Sequence, residues 1–123
     1  MDCKVCVVDL ATGRVSPLVN ERMVRGFALS PDGRSVAYSW NREIIVTDLE
    51  SGARRQLVHD AWGPAWSRDG RRIAFLVSAS QDVNARLYHI ETIEPDGRNR
   101  RRVSQRSGTY WSLTWSPAPA SRP

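Results

Sequence analysis

The stretch SPDGRSVAYS at residues 30–39 returns as SRDGRRIAFL at residues 67–76, an offset of 37. A repeat at fixed spacing outranks local propensity in reading a fold, because each copy must be one structural unit. Working outward, VVDLATGRVSPL (7–18) lies over VTDLESGARRQL (46–57), with Asp9 on Asp48, Leu10 on Leu49, Gly13 on Gly52 and Leu18 on Leu57, an offset of 39. A looser third copy, LYHIETIEPDGRNRRRV (87–103), sets Gly97 45 residues after Gly52. The added residues fall before the turn glycine, where a loop absorbs them cheaply. Leu29 to Gly33 corresponds likewise to Trp66 to Gly70, and then to Trp115-Ser116-Pro117, where the Asp-Gly is missing.

Within each copy the hydrophobic period is two. SVAYS puts Val36 and Tyr38 on one face, and EIIVTDL sets Ile45 and Thr47 against Ile44, Val46 and Asp48. Short alternating runs separated by Gly and Asp turns predict antiparallel strands. In SPDG, Pro31 pre-sets φ for a type I turn, Asp32 caps nearby amides and Gly33 takes positive φ. The longest stretch free of Gly and Pro, Arg71 to Glu94, lacks a 3.6-residue apolar period, so no helix is predicted. The strands fall at about 24–29, 35–39, 43–49 and 54–58, then 62–66, 72–77, 86–91 and 100–104.

Four-stranded antiparallel units of about forty residues fit the blades of a β-propeller, which are two-faced and need neighbours. The predicted fold is therefore all-β, a partial propeller. A partial blade covers 3–18, whole blades cover 24–58 and 62–104, an inner strand covers 110–115, and 118–123 form a disordered tail. Phe27, Leu29, Trp66 and Trp115, with Ile73 and Phe75, are predicted to fill the contacts between blades. Two whole blades do not close a ring, which needs four or more. The chain is thus expected to be an open array or part of a longer propeller, or else to complete a ring as a homo-oligomer.

FALSPDGRSVAYS followed by IIVTDLESGARRQLV, and PAWSRDGRRIAFL followed by LYHIETIEPDGRNRRRV, resemble the WD-like repeat, of PD40 type, found in the C-terminal domain of TolB and related proteins. The resemblance covers about 3–117 and is carried by S-x-D-G-x-x-[IV]-A and by D-x-x-x-G, the latter kept less faithfully in the last copy. It implies a propeller domain that binds protein, with an envelope lipoprotein or peptidoglycan-associated assembly as the partner class for a true TolB. Such repeats also occur in the propellers of prolyl-oligopeptidase-like peptidases and in sensor proteins, which gives the alternative of a structural or scaffold role.

The formal charge of +5 rests on arginine, Lys4 being the one lysine among 18 basic residues. Cys3 and Cys6, three apart in an expected strand, point to opposite faces and are read as reduced. A redox pair or half a zinc site are the other readings of C-x-x-C, and the remaining potential ligands His59 and His89 lie far off in sequence. The N-terminus carries no basic leader with an apolar core, and no run of 18 apolar residues occurs, so no membrane insertion is expected. The cytoplasm is the expected compartment, or the periplasm if an exported segment precedes the sequence.

Catalysis is not expected. A hydrolase needs nucleophile, base and orienting group within reach, and there is no G-x-S-x-G elbow. Asp32, Asp69, Asp9 and Asp48 recur once per repeat beside turns, which explains them without a metal. SGTYWS lacks the spacing of a phosphate loop, so no cofactor is implied. GRNRRRVSQR is the best nucleic-acid candidate, but Arg100, Arg101 and Arg102 must alternate in a strand, so nucleic acid is a weaker alternative. The end of the blades that collects SWNRE (39–43), SASQDVNAR (78–86), VNERM (19–23), HDAWG (59–63) and SQRSGTY (104–110) sets aromatics beside arginine, the composition of a protein interface. The binding candidates are Trp40, Arg42, Trp62, Arg106 and Tyr110. Trp40 is expected to be the exposed ring, with packing over its own hairpin as the alternative. Trp62, Tyr110 and Trp111 are read first as core.

Overall fold

The computed structural model describes residues 5–19, 25–80, 86–104, 106–110 and 113–115. β1 (Val5–Val8) and β2 (Val15–Val19) form an antiparallel pair. β3 (Arg25–Leu29), β4 (Ser35–Trp40), β5 (Glu43–Asp48) and β6 (Arg54–His59) form a four-stranded sheet in chain order. β7 (Ala61–Trp66), β8 (Ile73–Ser78), β9 (Tyr88–Ile93) and β10 (Arg101–Arg102) form a second. All pairings are antiparallel, and no helix occurs among the described residues. The chain is thus all-β, two four-stranded blades without a closed barrel.

The two sheets repeat each other residue by residue. Ala28 pairs with Ala37 and Leu29 with Val36, as Ala65 pairs with Ala74 and Trp66 with Ile73. Each innermost strand also breaks register at the same place, between Arg25 and Ala28 and between Trp62 and Ala65. Gly26 and Gly63 sit inside those bulges with φ of 53° and 62°, the left-handed region that glycine enters without steric cost. Gly26 serves a second purpose: a Cβ there would stand 3.2 Å from the Gly63 Cα, so the innermost strands touch backbone to backbone.

The core lies between the sheets. Ala37, Ile44 and Val58 of the first face Ile73, Phe75 and Ile93 of the second, with Trp66 and Val77 packed at the margin. Full burial of Phe75 or Ile73 is worth roughly 1.5–3 kcal/mol each. Polar links cross the same seam. The Trp66 indole N–H donates to the Ala28 carbonyl at 2.9 Å, the Gly63 amide donates to Ser39 Oγ at 3.0 Å, and the Arg55 guanidinium donates to the Pro95 carbonyl at 3.3 Å. Trp115 repeats the first of these against the far side, donating to the Ala65 carbonyl at 2.8 Å. Residues 113–115 are described without strand assignment, and 111–112 lie outside the described residues.

Two expectations about packing are corrected. Phe27 and Leu29 do not fill a contact between blades: they are 60% and 51% exposed. Leu29 occupies the place of Trp66, but no innermost strand stands opposite it among the described residues. The same face is covered further out, where Val36, Tyr38 and Ile45 are buried with Trp40 and Leu49 packed on them. The second correction is covalent: Cys6 is disulfide-bonded. The opposite-face argument needed one strand running through both cysteines, whereas β1 as described begins at Val5, and Cys3 lies outside the described residues.

Candidate functional site

At one end of the sheets the aspartates are consumed by the turns. Asp32 Oδ1 accepts from Ser30 Oγ at 2.6 Å and from the Arg34 amide at 2.9 Å, and Asp69 Oδ1 accepts from Ser67 Oγ at 2.7 Å and the Arg71 amide at 3.0 Å. The serine hydroxyl, then the backbone amide, hold both carboxyls below the usual carboxylate range. Asp48 accepts from the Ser51 amide at 2.8 Å and the Glu50 amide at 2.9 Å and is lowered likewise, with the Ser51 amide the main cause. The hairpin after β9 changes turn type: Gly97 donates to the Glu94 carbonyl, as Gly33 does to Ser30, whereas Gly52 and Gly13 reach four residues back to Asp48 and Asp9. No group of three or more metal-ligating side chains occurs among the described residues.

The opposite end brings side chains together across the sheets. Asn41 and Arg42 form the two-residue turn between β4 and β5, with φ of 53° and 64°. Left-handed backbone at a residue like Arg42 costs about 1–2 kcal/mol. Here it aims the guanidinium at the next sheet. Arg42 Nη2 lies 3.3 Å from Asp60 Oδ1, and its Cζ lies 5.5 Å from the centre of the Trp62 ring. Trp62 meets Tyr88 edge-on, with centroids 5.7 Å apart and planes at 71°. Tyr88 exchanges two backbone bonds of 2.8 Å with Gly108, and the Tyr110 ring lies against Gly108, where a Cβ would come within 3.2 Å. The row Arg42, Trp62, Tyr88, Gly108, Tyr110 therefore runs along one end of both sheets.

Of the sequence candidates, Arg42, Trp62 and Tyr110 belong to this row. Arg106 is exposed beside it, on the segment tied to β9 by the Ile90 amide to Ser104 Oγ bond at 2.8 Å and by the Gly108 bridge. Trp40 does not join it. Its ring is half-buried on Val36, Tyr38 and Ile45, with the Arg54 guanidinium 5.6 Å from the ring centre, so it packs over its own hairpin. Tyr88 and Asp60 were missed. Tyr88 follows a loop and reads as an ordinary strand residue, and only the loop closure onto Gly108 places it. The collecting segments VNERM and SASQDVNAR lie largely outside the described residues.

The arginine run is divided by the sheet. Arg100 Nε donates to Glu91 Oε1 at 2.5 Å and lies over the Phe75 ring at 5.6 Å, Arg102 Nε donates to the Ser104 carbonyl at 2.8 Å, and Arg101 is exposed. Burial pushes the Glu91 carboxyl up, but hydrogen bonds from Arg100 and then His89 Nε2 outweigh it and hold it below its usual value. β10 is only two residues long, shorter than expected.

Paired hairpin sheets with a shared internal register, stacked face to face, define the chain as β-propeller-type. No family model matches it. Among curated proteins it is similar to dipeptidyl-peptidase 5 of Porphyromonas endodontalis, 27% identical over 80% of this chain, and to dipeptidyl-peptidase 5 of Porphyromonas gingivalis, 33% identical over 43%. The chain spans only 16% and 10% of those relatives. Among solved structures it is similar to a TolB-type protein from Agrobacterium tumefaciens (30% identity, TM-score 0.55, 67% of this chain and 30% of that one). It is also similar to the tricorn protease (18%, TM-score 0.63, 80% and 10%) and to the propeller of the trilobed protease from Pyrococcus furiosus (22%, TM-score 0.57, 75% and 30%). The fold is thus related to the TolB and protease propellers.

Proposed function

We propose that the chain is a non-catalytic propeller segment that binds protein through the end bearing Arg42, Trp62, Tyr88 and Tyr110. The observation that carries this is the row itself: the β4–β5 turn, the starts of β7 and β9 and the segment after β10 each contribute one member. Tryptophan, tyrosine and arginine are the residues that dominate binding energy at interface centres. Similarity to a TolB-type propeller supports the same reading.

A photo-crosslinking residue at Asn41 should give adducts in a lysate of the source cells, and one at Arg98, at the opposite end, should give none. Equal labelling from both positions, or hydrolysis of dipeptidyl chromogenic substrates by the purified chain, would overturn the proposal. A second reading, a structural segment of a peptidase propeller, is favoured by the dipeptidyl-peptidase relatives. It predicts that the only strong contact is with a hydrolase domain.

A further inference from the structure

We infer that the partner surface is an acidic segment carrying aromatic side chains, and that Arg42, Arg86 and Arg106 read its carboxylates; this rests on the binding reading above. Arg42 is the anchor. Its guanidinium is held over Trp62, and Asp60 meets one of its nitrogens, Nη2, at 3.3 Å, in an ion pair more than half exposed on both sides. A guanidinium has five donors in a rigid fork, so the remaining edge is available to a second carboxylate without loss of the first. Arg86 and Arg106 are exposed and have no ion-pair partner among the described residues. Arg86 stands two residues before Tyr88 and Arg106 two before Gly108, so the bridge of Tyr88 to Gly108 brings the segments that carry both arginines together at the aromatic row. Among the described residues, the carboxylates that face this end are Asp60, already shared with Arg42, and Glu43, which lies 3.5 Å from His59. The described residues of this end are therefore net positive around an apolar strip.

Nucleic acid also carries negative charge and stacks on aromatics, but stacking needs open ring faces. Here Arg42 lies over Trp62, Tyr88 meets it edge-on, and Tyr110 lies against Gly108. That favours a protein segment, whose aromatic side chains can meet ring edges and whose carboxylates can meet the fork.

The test is fluorescence anisotropy with a labelled Glu-Tyr copolymer, a Lys-Tyr copolymer and oligo-dT, on the whole chain. The Glu-Tyr probe should bind, more weakly as salt rises, and the Lys-Tyr probe should not. Arg42→Ser, Arg86→Ser and Arg106→Ser should each weaken binding at least about fivefold, while Arg34→Ser and Arg68→Ser, at the other end, should leave it unchanged. Far-UV circular dichroism of each variant confirms that its sheets are intact. Absence of Glu-Tyr binding, binding by the three arginine variants as tight as that of the unmodified chain, or tighter binding of oligo-dT overturns the inference. If crosslinking from Asn41 persists while the acidic probe fails, the partner chemistry is wrong and the binding site stands.

Discussion

Alanine at Gly26 and alanine at Gly63 are the same substitution at equivalent places in two sheets, and the structure gives them different costs. Both glycines have left-handed φ, 53° and 62°, so both variants carry a penalty of about 1–2 kcal/mol for placing an L side chain there. At Gly63 the new methyl group would meet, among the described residues, the Leu76 side chain alone, at 3.8 Å, an ordinary contact. At Gly26 it would meet the Gly63 Cα at 3.2 Å, the Gly63 nitrogen at 3.5 Å and Pro64 Cδ at 3.6 Å. Backbone in a paired strand does not yield as a side chain tip does, so an overpacking cost of about 1–3 kcal/mol is added. Gly26→Ala should therefore lose about 2–5 kcal/mol and Gly63→Ala about 1–2. Urea unfolding followed by tryptophan fluorescence reads the difference as a lower midpoint at unchanged slope. A loss at Gly26 no larger than the left-handed penalty alone, about 1–2 kcal/mol, would refute the claim that the innermost strands touch through their backbones.

Trp66→Phe removes the donor to the Ala28 carbonyl and should cost about 0.5–1.5 kcal/mol for the bond, with Trp115→Phe similar at Ala65; no change in either midpoint would mean the indoles only fill space. Leu29→Ser, at a half-exposed position, should change stability by no more than about 0.5 kcal/mol, whereas Ile73→Ala, fully buried, should cost about 2–5; a large loss at Leu29 would show that its face is covered. Glu91 has its pKa depressed in the folded chain, so its pairing with Arg100 and His89 stabilises the fold at neutral pH, and that contribution is lost as pH falls below the ordinary carboxylate value of 4.5 and through the folded one. Glu91→Gln should lower stability at neutral pH and flatten its acid dependence, read by thermal unfolding from neutral to acid pH, and an unchanged acid limb would count against it.

The two sheets were legible because the repeat fixed a register: once Leu29 and Trp66 are equivalent, turn, strand and pairing follow by translation. The bulges were not read from the sequence, although Gly26 and Gly63 stand at the same offset as Leu29 and Trp66, because the residues around them differ. Burial of Phe27 and Leu29 was misread because equivalence by sequence carries no information on whether a neighbour is present. For Trp40 the sequence left two readings, an exposed ring or packing over its own hairpin. Alternation assigns a face, and the Arg54 guanidinium reaching it from β6 favours the second. Tyr88 and Asp60 became visible only in three dimensions, where the ends of separate strands meet.

The indole-to-carbonyl contacts have a direction. Each runs from a tryptophan to a strand that leaves the ribosome earlier, from Trp66 to Ala28 and from Trp115 to Ala65. A nascent chain would thus find both indole acceptors waiting when their donors emerge, whereas the Arg55 guanidinium waits for the Pro95 carbonyl to be made. Growth of the stack and growth of the polypeptide then proceed in one sense, and the joint between sheets doubles as a rule for the order in which they are made.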